Sequence, residues 1–346
     1  MAEICAEKIL VIQTRPYGDV LLAASYLGAL RQKFPNAIID FFVSKPFDEV
    51  LANNPFINNV LASPSKKNKL GYVFGRVRLL IRIFFANYRL VIDQQADGGS
   101  RAIVIVSRAK YRLGWAYVRS APLYNLKAAP RKNRYYPAVR NFDLLSPLDI
   151  EYRKPDFFFH INEESNLRVD KWVSENSIDT KEIIIFSPGA KASWKAWNPD
   201  SYAALADMIV EKYDLKIAVI WAPSEFEAAL RMKNSMKAPA FFLEKTTYNE
   251  AAAFVKRARL LICNDGGLNH LSVVLGTPSL AFFCRTDPQH WSPQDYFEHH
   301  YHMRNAEFVK NNSEDPNNTF GITAPEAFKK VEFIFEKLGI ETKAAN

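Results

Sequence analysis

Short apolar runs bounded by turn residues recur along this chain, and between them apolar positions return every three or four residues. Lys8–Thr14 (KILVIQT) reads as a buried strand, and further strands fall near 37–43, 59–62, 90–94 and 111–114. The second half repeats the pattern, with strands near 183–187, 216–221, 240–243, 259–263 and 279–283. Helices begin between them near Pro199, Ser224, Thr247 and Gly267. Strand and helix in strict alternation demand crossover connections, hence parallel sheets. The fold class predicted is α/β, with two Rossmann-like domains facing across a cleft and the ligand at the carboxyl ends of the strands. The boundary falls in the polar stretch near Asn162–Lys181, which holds a helix starting about Glu163. The domains expected are 1–162, 163–322 and a closing segment, 323–346, opened by the capping box Thr323-Ala-Pro-Glu326 and helical to Leu338. Lys310–Asn318 (KNNSEDPNN) reads as a polar loop.

Two strand ends carry chemistry. After Arg259–Cys263 (RLLIC), Asn264-Asp265-Gly266-Gly267 must break the strand, and Leu268, Leu271, Val274 and Leu275 form one face of a helix stopped by Gly276 and Pro278. The glycines, read as permitting positive φ and close backbone approach, sit at that helix's N-terminus. Free N–H groups and the positive end of the helix dipole there favour a phosphate or diphosphate; the plain alternative is a tight strand-to-helix turn. At the other end of the chain, Arg15-Pro16-Tyr17-Gly18-Asp19 leads from the first strand into an amphipathic helix over Val20–Phe34. Asp19 is placed to cap that helix or to act as a base.

A length of 346 residues and 48% hydrophobic content suit two cores. Cys5, Cys263 and Cys284 show neither disulfide nor zinc spacing, which points to a reducing cytosol, and no basic n-region or membrane-length apolar run is present. The net charge of +8 is lopsided: Lys66–Arg140 holds 17 Lys or Arg against two acids, Asp93 and Asp97. A nucleic-acid partner is not expected, because no helix-turn-helix, RNP or zinc-finger pattern accompanies the charge. Val73–Phe85 (VFGRVRLLIRIFF) has residues 73, 74, 77, 80, 81, 84 and 85 on one face, and is expected to pack that face on the sheet while solvating its arginines; a membrane-surface role is the alternative. His299, His300 and His302 lack acidic or cysteine partners and read as a solvated strand or loop, not a metal tract.

Four blocks, ILVIQTRPYGDVLLAASYLGALRQKFPNAIIDFFV, YRLVIDQQADGGSRAIVIVSRAKYRLGW, SPGAKASWKAWNPDSYAALADMI and NDGGLNHLSVVLGTPSLAFFCRTDPQHWSP, resemble in order those of glycosyltransferase family 9, the ADP-heptose:lipopolysaccharide heptosyltransferases. The sequence departs from the family pattern at Gly266 (usually Thr or Ser), Asn269 (Met or Ser) and Cys284 (Gly). A lost hydroxyl at 266 removes one possible phosphate contact. The resemblance implies the two-domain GT-B fold, with the last helix returning to the first domain. It further implies an inverting, metal-independent transfer of heptose from a nucleoside-diphosphate sugar, ADP-heptose first, to a lipid A/inner-core acceptor, with no cofactor.

Under this resemblance Asp19 is the catalytic base, Arg15 and Arg119 lie on the acceptor side, and Lys195 holds the donor phosphate. Ser187 and Gly189 supply a strand-end turn to the diphosphate, Glu225 meets the ribose hydroxyls and Thr246 lies by the adenine. Asp265, Gly266, Gly267, Leu268 and His270 complete the donor site. The bland readings stand beside these: Lys195 as a solvated loop cation, Glu225 as a first-turn residue favoured by the dipole, His270 as packing, and Arg15 as ordinary surface. No DxD pair suggests a metal-bridged diphosphate. The enzyme is expected in the cytoplasm, peripheral on the inner membrane, where its basic face meets anionic lipid. A nucleotide-sugar epimerase of the same fold, or a binding protein without activity, are the competing functions.

Overall fold

The computed structural model describes residues 4–65, 69–133, 135–311 and 319–343, and the chain divides into two compact units, Met1–His160 and Ile161–Asn346. The break lies two residues before the expected boundary.

The first unit is built on β1 (Lys8–Ile12), β2 (Ile38–Ser44), β3 (Asn59–Ser63), β4 (Leu90–Asp93), β5 (Tyr111–Trp115) and β6 (Leu126–Ala128), all parallel, in the order β3-β2-β1-β4-β5-β6. Its helices are α1 (Tyr17–Ala23), α2 (Leu27–Lys33), α3 (Lys69–Phe85), α4 (Gly98–Ser107) and α5 (Pro137–Arg140). The second unit holds β7 (Ile183–Ser187), β8 (Lys216–Val219), β9 (Ala240–Phe242), β10 (Leu260–Asn264), β11 (Ser279–Phe282) and β12 (His300–Met303) in the order β12-β11-β10-β7-β8-β9. Its helices are α6 (Glu163–Glu175), α7 (Pro199–Lys212), α8 (Phe226–Ser235), α9 (Tyr248–Arg257), α10 (Gly267–Leu275), α11 (Pro288–Trp291), α12 (Ala306–Asn311) and α13 (Ala324–Leu338). Counted within its own unit, each sheet runs 3-2-1-4-5-6, the doubly wound order. Its winding reverses between the first and fourth strands, and loops leaving their carboxyl ends diverge there to leave a crevice. In the first unit this point lies between β1 and β4, where Ile12 pairs with Asp93; in the second, between β7 and β10, where Ser187 pairs with Cys263.

Several expectations need correction. The first helix starts at Tyr17, not Val20, and is split by a 3₁₀ turn at Ala24–Tyr26, so Asp19 is inside its first turn. Strand β6 was unforeseen, and β12, where a solvated strand or loop was expected, takes in His300 and His302; both strands are short. His300 is buried with Nδ1 2.9 Å from Ser279 Oγ, and half-buried His302 has Nδ1 2.9 Å from Ser292 Oγ, so these two are packed and not solvated, while His299 is exposed as expected. Lys310 and Asn311 are the end of α12, not a loop; 312–318 lie outside the described residues.

Helix α13 starts with the expected Thr323 cap, but it buries Ala327, Val331, Ile334 and Phe335 in the core of the second unit. There Phe335 meets the ring of Tyr213 at 4.7 Å. This apolar face packs on α7 and the sheet of the second unit, the compact unit to which the helix belongs.

Helix α3 also turns the other way from expectation. Its inward side is Ile83 with Leu79 and Leu80, while Leu70, Val73, Phe74, Val77, Ile81, Phe84 and Phe85 are exposed. Arg76 faces inward instead. Its guanidinium lies 4.9 Å from the Phe42 ring and donates to the Gly99 carbonyl at 3.0 Å, which rotates the apolar stripe away from the sheet.

Candidate functional site

In the second unit, the loops leaving β7 and β10 are tied together by Asn264. This residue is only 4% exposed; its Oδ1 accepts from the Trp197 backbone N–H at 2.9 Å, and its Nδ2 donates to the Pro188 and Gly189 carbonyls at 2.9 and 3.0 Å. One amide thus joins the turn after β7, the segment carrying Lys195 and the β10 terminus. Trp197 anchors that segment in the core: its ring stacks on Phe282 at 4.1 Å, and Nε1 donates to the Ile322 carbonyl at 3.1 Å.

Two residues before this anchor, Lys195 Nζ lies 3.2 Å from Asp265 Oδ2 and 5.5 Å from the Trp194 ring centroid. Of the two tryptophans flanking Lys195, Trp194 restricts it directly and Trp197 fixes the backbone. Asp265 Oδ2 also accepts from Thr286 Oγ1 at 2.8 Å, bringing the loop after β11 into the same cluster. The ammonium is therefore held beside the start of α10, whose leading N–H groups at Gly267 and Leu268 have no intrahelical acceptor. A cation and a helix N-terminus side by side form an anion site suited to a diphosphate.

The glycines act otherwise than expected. Gly266 has φ 176°, extended backbone open to any residue, Gly267 is already helical, and a Cβ at 266 would meet nothing closer than the Asn264 carbonyl oxygen at 3.9 Å. No backbone demand for glycine exists at 266. Gly189 is the constrained one: a Cβ there would lie 2.3 Å from Glu225 Cβ, so the turn after β7 and the one after β8 touch only because 189 has no side chain. Ser187 is buried at the β7 terminus beside this turn.

Glu225 ends a 3₁₀ turn, where burial pushes its carboxyl up against the opposing hydrogen bond from the Ala222 N–H. Thr246 is half-buried between β9 and the Thr247 cap of α9. His270 is buried, and its pKa is pushed down to about 4 by desolvation, with Asp265 opposing and Lys195 assisting the shift. It is a neutral imidazole near pH 7 and brings no charge to an anion.

In the first unit, Asp19 is half-buried in the first turn of α1, directly after β1, and Arg15 is exposed on the preceding loop. That loop is bound to the end of β4: the Thr14 N–H donates to Gln95 Oε1 at 3.0 Å, and Gln95 Nε2 to Asp97 Oδ2 at 2.7 Å. Burial works to raise the Asp97 carboxyl, but hydrogen bonds from Ser100, Gln95 and Gly99, with the Arg15 charge, hold it below its ordinary value. Arg119 is exposed after β5, next to Ser120, whose Oγ lies 3.2 Å from Tyr124 Oη; that hydroxyl donates to the buried Asp93 at 2.7 Å. Arg15, Asp19 and Arg119 thus share the carboxyl edge of three adjacent strands.

Ser187, Gly189, Lys195, Glu225, Thr246, Asp265, Gly266, Gly267, Leu268 and His270 all follow strand ends of the second sheet on the same edge. Sequence reasoning missed Asn264, Thr286, Gln95 and Asp97. Asn264 had a signal, as an amide at a strand end directly before Asp265; Thr286 had none.

The model for glycosyltransferase family 9 (heptosyltransferase) matches residues 76–318, over two-thirds of the sequence. The chain belongs to this family. Lipopolysaccharide heptosyltransferase 1 of Campylobacter coli is 26% identical over 303 residues, covering 81% of this chain and 84% of that protein. A family 9 glycosyl transferase from Veillonella parvula superposes with a TM-score of 0.84 at 18% identity, covering 97% of this chain and 99% of that one. The E. coli ADP-heptose lps heptosyltransferase II gives 0.72 at 18% identity, covering 95% and 99%. These solved structures share the GT-B fold with this family 9 member. It is a glycosyltransferase, and its two six-stranded parallel sheets are the Rossmann-like cores of that fold. Among the described residues no helix is long and apolar enough to cross a membrane.

Proposed function

We propose that this family 9 enzyme transfers heptose from a nucleoside-diphosphate sugar, ADP-heptose, to a lipopolysaccharide inner-core acceptor, with inversion and without a metal. The observation that carries the reading is the Lys195–Asp265 pair beside the α10 N-terminus at the switch point of the second sheet. A diphosphate leaving group needs its developing charge neutralised, and a fixed ammonium with free helix N–H groups supplies this with little reorganisation. Ser187 and the Gly189 turn extend the cradle, Glu225 takes the ribose hydroxyls and Thr246 the adenine. His270, being neutral, adds to phosphate binding by hydrogen bonding only.

Asp19 removes the proton of the acceptor hydroxyl, which attacks the anomeric carbon in line as the nucleoside diphosphate departs. Arg15 and Arg119 meet acceptor phosphates. The acceptor is part of a lipid, so the enzyme works on the cytoplasmic membrane surface as a peripheral protein. ADP as the nucleotide is supported by the ADP-heptose named for the E. coli structure that shares the fold.

The test is transfer from ADP-heptose to a deacylated core acceptor, followed by release of ADP. Asp19→Ala is expected to abolish transfer while ADP still binds; turnover near wild type would remove Asp19 from the mechanism. Lys195→Ala should chiefly weaken ADP binding. Isomerised sugar formed without acceptor would replace transfer by epimerisation, and stabilisation by UDP- or GDP-sugars in preference to ADP-heptose would replace the donor.

A further inference from the structure

We propose that the outward stripe of α3 docks this enzyme on an anionic bilayer, lying in the headgroup layer with its apolar side chains in the acyl boundary. The inference deepens the membrane-surface part of the function proposed above, but its own support is the stripe and its charges. Leu70, Val73, Phe74, Val77, Ile81, Phe84 and Phe85 recur every three or four residues on α3, and Leu70, Phe74 and Phe85 are 85%, 75% and 73% exposed. At a rise of 1.5 Å per residue the stripe runs about 22 Å. Single exposed apolar residues are ordinary, but a continuous strip with three phenylalanines marks an interaction surface.

Its charges select the occupant. No Asp or Glu occurs in α3, and Arg78 and Arg82 flank the stripe on one side, without a carboxylate partner among the described residues. Arg108, at the end of the neighbouring α4, lies 5.2 Å from the Phe84 ring and extends the cationic border beside exposed Ile105. Asp97, one of only two acids between Lys66 and Arg140, is committed to capping α4, and Asp93 is buried. A second copy of this face would set arginine against arginine, so self-association through it is opposed by its own charge. Anionic lipid satisfies both features: arginine stems lie along the apolar surface while guanidinium groups meet phosphate, and aromatic and aliphatic side chains enter the interface.

The experiment is co-sedimentation of the full chain with phosphatidylcholine vesicles, neutral or with about 30% phosphatidylglycerol. Wild type is expected to bind the anionic vesicles and release with added salt. Phe74→Ser/Ile81→Ser/Phe85→Ser should bind at least ~10-fold more weakly, because the buried apolar area sets interfacial affinity. Arg78→Glu/Arg82→Glu should lose binding and flatten the salt dependence. All substituted positions are exposed, and both variants should keep wild-type transfer to the deacylated acceptor, so failure of docking is distinguished from failure of the transferase reading. Absence of wild-type binding, equal binding by both variants, or a wild-type dimer that the serine variant dissolves would overturn the proposal, the last by assigning the stripe to a second copy.

Discussion

Asn264→Ala should damage both the stability of the second unit and its grip on nucleotide, although the residue need touch no ligand. The substitution removes the acceptor of the Trp197 N–H and the donor to two carbonyls, at a site almost without solvent. Each buried group left without a partner costs about 1–3 kcal/mol. Carbonyls tolerate loss better than an N–H, so the sum is about 3–5 kcal/mol, with the Trp197 N–H the largest part. For a unit of this size, about 2–4 °C of melting temperature per kcal/mol gives a fall of about 6–20 °C. The freed segment also carries Lys195, so ADP affinity should fall about tenfold, equivalent to about 1.4 kcal/mol of lost preorganisation. Asn264→Asp keeps the acceptor for Trp197 but turns a carboxylate toward two carbonyls, and should be at least as harmful. Thermal melts followed by near-UV circular dichroism, with calorimetric titration of ADP, measure both effects. A fall below about 2 °C in the second-unit transition together with unchanged ADP affinity would refute the reasoning.

Gly189→Ala brings a Cβ to 2.3 Å from Glu225 Cβ, a backbone-fixed atom; the two turns must part, costing about 1–3 kcal/mol and weakening ADP binding, as melts and titration will show. Gly266→Ser meets open space at an extended residue, so its melting temperature should match wild type, and ADP affinity should stay equal or rise if the added hydroxyl reaches phosphate. The buried imidazoles His270 and His300 both have pKa values pushed down to about 4 from 6.5, so between these values the unfolded chain binds more protons than the folded one. Stability from these groups is therefore full above pH 6.5, falls as pH drops toward 4, and flattens below. His300→Asn should reduce the slope of melting temperature against pH across that window relative to wild type; an unchanged slope would count against the burial of this imidazole.

Alternating apolar runs and amphipathic stretches placed ten of the twelve strands, both doubly wound sheets and the starts of α6, α7, α10 and α13, because strand burial and helix capping are local. The NDGG turn stood out for the same reason, since it directly follows a predicted strand; Asp19 and Lys195 were singled out only through the family resemblance. β6 and β12 were not placed: LKA and HYHM lack the apolar run that marked β9 (AFF), itself a three-residue edge strand. Nor were the partners that make the site. That Asn264 binds the segment around Lys195, that Thr286 shares Asp265, and that Glu225 presses on Gly189 are contacts between residues far apart in sequence.

Apolar spacing showed that α3 and α13 each have a greasy face, but spacing holds no statement of what that face meets. Tertiary packing decided it, burying the face of α13 against α7 and turning that of α3 to solvent once Arg76 took the inner position over Phe42. Periodicity is a property of one helix; the direction it faces is settled by competition among all the surfaces that need cover.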